Sequence, residues 1–241
     1  MNDLELTKML EGGQTAVLTT QQLAVLMRMN ASSTAVKLNR FVNRNVLVRV
    51  TRGRYTLPST DILAVASSIY SPSYVSLLAA FEFHGTTTQS PRVIDVINPI
   101  HSGQITLTLE VGRFIIRFVK VDPMLVFGYE KTFLNGMAAL IAEKEKAIVD
   151  SLLLTGYVSL DETAACIRSK IDHKKALDYA KRIGRQSVIK RLGYLLSIAG
   201  INCSPKYLTG LSKTYVPLDP ALPKRGKHDS KWRIIVNRVI E

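Results

Sequence analysis

Residues 12–60 contain no Asp or Glu, and within them the apolar spacing changes once, from helix-like to strand-like. Leu23, Leu26 and Met27 recur at the spacing of one helix face, with Thr19-Thr20 ahead of them as a cap. A shorter helix precedes them at 4–11, and Asn30 marks the break after them. Ser32, Ser33 or Thr34 then caps a third helix. In that helix Ala35, Leu38, Phe41 and Val42 form an apolar stripe, while Ser33, Lys37, Arg40 and Arg44 form a polar, basic one. From Val46 the pattern is that of a β-hairpin, with a turn at Thr51-Arg52-Gly53, a return strand through Tyr55 and Leu57, and Pro58 as its end. Helix, helix, helix, hairpin is the order of a winged helix-turn-helix, which places such a domain at residues 1–60.

A recognition helix needs an apolar back to dock on its neighbours and a polar front to reach base edges. Here the front offers Ser33, Thr34, Lys37, Arg40, Asn43 and Arg44. Basic side chains suit guanine, amides suit adenine, and Thr suits the thymine methyl. Arg49, Arg52 and Arg54 surround the Gly53 turn, where they would hold phosphates or enter a minor groove. Thr20, Gln21 and Gln22 stand at a helix N-terminus, a place suited to a phosphate. A winged helix used only for protein contacts is the competing reading. It gives no reason for carboxylates to be absent from the whole stretch.

The charge of the rest of the chain is uneven. Of the 241 residues, 1–60 carry 8 Lys/Arg and 3 Asp/Glu, 61–160 carry 7 and 9, and 161–241 carry 17 and 7, within a net charge of +13. Two basic ends around a slightly acidic middle point to a polyanionic partner, nucleic acid ahead of an anionic membrane. Hydrophobic content of 46% suffices for real cores, and the length allows two or three small domains. Cys166 and Cys203 have no metal or redox spacing, which suggests a reducing compartment and buried or inert thiols. The N-terminus lacks the features of a signal peptide, and no apolar run is long enough to span a bilayer. The expectation is a soluble cytoplasmic protein with no membrane partner.

Residues 61–241 read as an α+β domain. Apolar helices are expected at 61–70 and 73–84, split by Ser71-Pro72, then β runs at Val93–Ile97, Gln104–Val111 and Arg113–Val121, the last two joined through Gly112. A short strand at 137–142 and a helix from Glu143 to Leu154 follow. A basic helical part spans 160–200, with helices at 161–170, 173–183 and 187–199. Lys174, Lys175, Lys181, Arg182, Arg185, Lys190 and Arg191 crowd its last two helices, where they would contact phosphates, bind RNA, or simply be solvated. The tail, 203–241, has prolines at 205, 217, 220 and 223, a basic patch Lys224-Arg-Gly-Lys227, and a strand-like Lys231-Trp-Arg-Ile-Ile-Val-Asn237.

Enzyme signatures are sparse. His84 and Glu82 stand two apart and so on different faces of a helix, which favours a structural His at a helix end. His101, His173 and His228 are scattered, so no metal set and no cofactor is expected. No E-x-K occurs, and the D-x-K strings Asp172/Lys174 and Asp229/Lys231 look incidental. P-loop and G-x-S-x-G motifs are absent too. The residues therefore describe a binding protein and not an enzyme. An RNA-binding module in the basic C-terminal region is the alternative, with a nuclease behind it.

Five stretches after or including the winged helix add a resemblance. In order they are the winged helix, Tyr74-Val-Ser-Leu-Leu-Ala-Ala-Phe-Glu-Phe-His-Gly-Thr-Thr-Thr-Gln89 before a β-rich stretch, Glu143-Lys-Glu-Lys-Ala-Ile-Val-Asp150, Arg191-Leu-Gly-Tyr-Leu-Leu196, and Trp232-Arg-Ile-Ile-Val-Asn237. The chain resembles, over nearly its whole length, the AbiEi family of antitoxins and transcriptional regulators of type IV toxin–antitoxin systems. It departs at Glu143, which follows Ile141-Ala142 where the family more often has Ser-Pro. The resemblance implies an N-terminal domain that represses its own operon by binding double-stranded DNA at promoter repeats. It also implies a C-terminal domain that counters a nucleotidyltransferase-like toxin without a stable complex.

Overall fold

Capping side chains decide where the first helices begin. In the computed structural model, which describes residues 2–204, 207 and 209–240, α1 (Asp3–Glu11) starts with Asn2 and Glu5 capping each other's backbone N–H groups. A two-residue strand, β1 (Leu18–Thr19), leads into α2 (Thr20–Met27), where Thr19 and Gln22 form the same reciprocal box. α3 (Ala31–Asn43) is capped by Asn30, whose side chain accepts the Ser33 N–H at 2.9 Å, so the helix begins earlier than a cap at Ser32–Thr34 would place it. β2 (Val48–Thr51) and β3 (Arg54–Thr56) follow, joined by Arg52-Gly53, with Gly53 supplying the positive φ that the turn requires. β1 adds to β3, giving a three-stranded sheet in the order β1-β3-β2. Leu6, Leu10, Leu23, Met27, Leu38 and Phe41 are buried together with Leu47, Val50 and Tyr55 of the hairpin.

The chain is a mixed α+β fold that divides into two compact units, Met1–Val75 with Arg92–Ile141, and Ser76–Pro91 with Ala142–Glu241. The first unit thus holds residues 1–60 together with a larger sheet. α4 (Ile62–Ser68) leads to β4 (Tyr74–Val75), β5 (Val93–Asn98), β6 (Gly103–Leu109), β7 (Gly112–Lys120), β8 (Tyr129–Leu134) and β9 (Met137–Ala142), in the sheet order β6-β7-β5-β4-β9-β8. The run expected as one helix over 73–84 starts instead as a strand. Tyr74 and Val75, aromatic and β-branched, pair with Ile97 and Val96. Central β5 is buried from Ile94 onward, and its Asp95 accepts both guanidinium donors of Arg117 from the neighbouring strand, at 2.5 and 3.0 Å. The Ala138 N–H bonds to the Gln14 carbonyl and the Glu110 N–H to the Pro58 carbonyl, tying the sheet to the N-terminal elements.

The second unit is built around α6 (Lys144–Leu153), which packs against α5 (Leu77–Phe83), α7 (Leu160–Arg168), α8 (His173–Ile183) and α9 (Gln186–Ile198). Surrounded on all sides, α6 buries polar residues as well as Ala147, Ile148, Val149 and Leu152. The tail contributes three short strands, β10 (Val216–Pro217), β11 (Lys227–Asp229) and β12 (Ile234–Val236), in the order β10-β12-β11. Of the strand expected over 231–237 only its second half is extended, because Trp232 turns inward onto α9, with its indole N–H 2.8 Å from the Ser197 hydroxyl. Pro205 of the expected tail lies outside the described residues. No helix among the described residues is long and apolar enough to cross a membrane.

Candidate nucleic-acid interface

The outward face of α3 follows from which residues it buries. Thr34, Leu38 and Phe41 are fully buried. At about 100° per residue the opposite face then carries Ser32, Val36, Asn39, Arg40 and Asn43, with Ser33 at its edge. All six are exposed, and Val36 retains 54% of its surface. Thr34, expected among the base-reading residues, is corrected: it faces the core, and its hydroxyl donates to the Asn30 carbonyl at 2.7 Å. Ala35, expected in the apolar stripe, is exposed.

Lys37 and Arg44 lie on the flank of α3 that faces α1. Arg44 pairs with Asp3 at 2.8 Å, and both cations sit against the Phe41 ring. The Asn2 backbone N–H, and further out the Lys37 ammonium, hold the Glu5 carboxyl below its ordinary value. The acid-free stretch is therefore not acid-free in space, because α1 brings two carboxylates to it. Asn39 takes the place of these two cations at the other edge. Its side-chain oxygen accepts from Arg49 of β2 at 2.6 Å, which joins the helix front to the hairpin. Sequence reasoning missed Asn39, although counting the helix from Leu38 and Phe41 would have found it.

The hairpin is short and held down. Thr20, expected as a phosphate donor, uses its N–H on the Gly53 carbonyl at 2.9 Å, and its hydroxyl points to the same atom. Gln22 is taken by the capping box with Thr19, which leaves Gln21 as the exposed amide of this group without such a role. Arg54 is half-buried over the Tyr70 ring, 5.1 Å from its centroid, and Tyr70 stacks in turn on His101 at 3.7 Å. Arg49 lies over Tyr55 and Arg52 is exposed at the turn. The exposed polar groups brought together in this unit are thus Ser32, Ser33, Asn39, Arg40, Asn43, Arg49 and Arg52.

The basic helices of the second unit separate into two sets. Lys174, Lys181, Arg182 and Arg185 are exposed, with Lys181 over the Tyr207 ring, and Lys175 pairs with Glu143 at 2.9 Å. Lys190 and Arg191 are corrected as phosphate contacts because both are buried. The Lys190 ammonium donates to the Ser212 carbonyl and hydroxyl and the Thr214 carbonyl at 2.6–3.0 Å, and burial pulls its pKa down. Arg191 donates to the Pro217 carbonyl at 3.1 Å.

Another buried set escaped the sequence reading. Lys146, Asp150 and Ser76 are all fully or nearly fully buried, and Asp150 accepts from the Lys146 ammonium and from the Ser76 hydroxyl. His84 sits just past α5 with its Nε2 bonded to the Ala142 carbonyl at 2.8 Å. A cleft of about 540 Å³ opens beside Thr155–Leu160, but its Arg238 is already held by Asp161 and Asp219. Among the described residues no three His, Cys, Asp or Glu side chains come together as a metal set.

No family model and no curated protein sequence matches the chain. Its structure is similar to the crystal structure of RV2827C protein from Mycobacterium tuberculosis, with a TM-score of 0.59 and 12% identity over 95% of this chain and 89% of that one. At that identity the likeness speaks to the fold alone.

Proposed function

We propose that residues 1–60 are a winged helix-turn-helix that binds double-stranded DNA, and that the chain is a cytoplasmic transcriptional regulator acting by stoichiometric binding. The observation that carries this reading is the outward face of α3. It presents Asn39, Arg40 and Asn43 in one exposed row, with Arg49 and Arg52 of the hairpin beside it and no carboxylate of its own. The element order, with β1 added to the hairpin, supports the winged-helix assignment. The resemblance of the later motifs to AbiEi proteins supports the further role, an antitoxin that represses its own operon at promoter repeats and counters a nucleotidyltransferase-like toxin without a stable complex.

The test is binding to duplexes selected from a random library, followed by fluorescence anisotropy. Several phosphate contacts make affinity fall by roughly 10³ or more over a few-fold rise in salt. Arg40→Ala costs about 1–3 kcal/mol if Arg40 pairs with guanine. A flat salt response together with an Arg40→Ala protein that binds like the parent overturns the reading. The antitoxin role is tested separately, by whether the chain restores growth to cells expressing a toxin of that class.

A further inference from the structure

The tail sheet has two unlike faces. Register places Val216, Ile234 and Asp229 on one side and Pro217, Ile235 and His228 on the other. The first side turns toward α9: Ile234 is fully buried, and Trp232, two residues before it, packs against Gly193. On the second side Ile235 is buried as well, while Tyr215, two residues before Pro217, lies at its rim and Arg233, just before β12 and at a φ of 57°, reaches the same place. There Tyr215 stacks on His228 with ring centroids 4.7 Å apart, and the Arg233 guanidinium lies over the Tyr215 ring at 5.9 Å. His228 is exposed, while Tyr215 and Arg233 are half-buried.

The sequence around the sheet is strongly basic. Residues 179–240 contain 13 Lys/Arg and two carboxylates, Asp219 and Asp229. Asp219 is buried and bridged to Arg238, and Asp229 accepts the Trp232 N–H at 2.7 Å. Lys213, Lys224, Arg225, Lys227 and Lys231 are all exposed. The sheet is also held in shape from beneath. Lys190 binds the 212–214 segment that leads into Tyr215, and Asn237 bonds to Asp219, Leu222 and Pro223.

We propose that this outward face is a binding platform for single-stranded nucleic acid, with an unpaired base stacked on His228 beside Tyr215 and the flanking phosphates held by the surrounding lysines. An exposed ring backed by a second ring and rimmed by cations is what unpaired bases need, and a closed duplex does not offer its bases to it. The site is built from residues of the second unit and does not depend on the duplex reading of the first.

The experiment uses the full chain and labelled ten-nucleotide oligouridylate and oligothymidylate, with a duplex of the same length as competitor. Either single strand is expected to bind, and the duplex to compete poorly. His228→Ala weakens binding about tenfold, a typical loss for one stacked base. His228→Tyr restores binding, which a purely electrostatic site would not do. Because His228 is exposed, these variants are expected to keep the parent's circular dichroism, and Lys227→Ala with Lys231→Ala gives a second readout as a reduced salt slope. The proposal is overturned if His228→Ala and Tyr215→Ala bind like the parent, or if the duplex competes as well as the single strands. Arg40→Ala is expected to leave single-strand binding unchanged, so failure of this site and failure of the α3 reading are told apart.

Discussion

Replacing Asp150 by Ala removes the carboxylate that faces Lys146 in a place where water does not reach. Lys146 is 0% exposed and Asp150 1% exposed, so little relaxation toward solvent is open to either. Breaking a buried pair by deleting one partner costs about 3–5 kcal/mol, because the remaining charge is left uncompensated. The Ser76 hydroxyl, which donates to Asp150 at 2.8 Å, loses its acceptor as well and pushes the cost toward the upper end. With a urea m-value of about 2 kcal/mol per molar, the midpoint falls by roughly 1.5–2.5 M. Trp232, the sole tryptophan of the chain, is buried in the same compact unit, so its fluorescence follows this transition. The companion is the double variant Lys146→Met with Asp150→Leu. Removing both charges together costs far less than removing one, since apolar replacement of a buried pair is often neutral or stabilising. A loss below about 1 kcal/mol for Asp150→Ala, or a double variant as unstable as the single one, would refute the argument that the pair is buried and mutually dependent.

Asp3→Ala releases Arg44 from its ion pair and removes one carboxylate from beside α3. Duplex affinity is then expected to rise a few-fold at low salt and to converge on the parent at high salt, as anisotropy titrations would show. Gly193→Ala places a Cβ 2.3 Å from the Trp232 ring and is expected to cost about 1–3 kcal/mol or more, with a shifted indole emission. Burial pushes the Cys166 thiol up to about 11. At pH 8 only about one molecule in a thousand then carries its thiolate, so Cys166 is expected to react with disulfide reagents at its full rate only after unfolding; fast native labelling of a Cys203→Ser protein would contradict this.

Much of the first unit was legible because its signals are local. Caps, apolar spacing and the Gly53 turn mark α1, α2, α3, β2 and β3 within a residue or two, whereas the cap of α3 was misplaced by passing over Asn30 and the two-residue β1 was not expected. β8 was missed although Asn135-Gly136, both at positive φ, makes the favoured two-residue hairpin turn into β9. The orientation of α3 was less legible. A stripe through Ser33, Lys37, Arg40 and Arg44 is basic and continuous, yet the burial of Thr34 rotates the true front toward Asn39. A buried Thr that bonds its own helix looks like any polar residue in sequence. Lys190 and Arg191 failed for a related reason. Each was counted as charge, and partners far along the chain, Ser212 and Pro217, make its burial tolerable. The Tyr215–His228 stack depends on a strand register that no local pattern announces.

The division of the chain into units has a consequence for its synthesis. The backbone passes between them at residues 75–76, 91–92 and 141–142, so neither unit is one continuous segment. α5, with Leu77, Ala79, Ala80 and Phe81 fully or almost fully buried, belongs with α6, which begins more than 60 residues later. At ribosomal speed α5 waits roughly 3–15 s for that partner, apolar and uncovered, while the first unit completes itself with Arg92–Ile141. The nascent chain is therefore expected to pass through an interval in which α5 is open to holding factors. A fragment ending at residue 141 keeps α5 without α6 and repeats that interval permanently, so it is expected to aggregate where the whole chain folds.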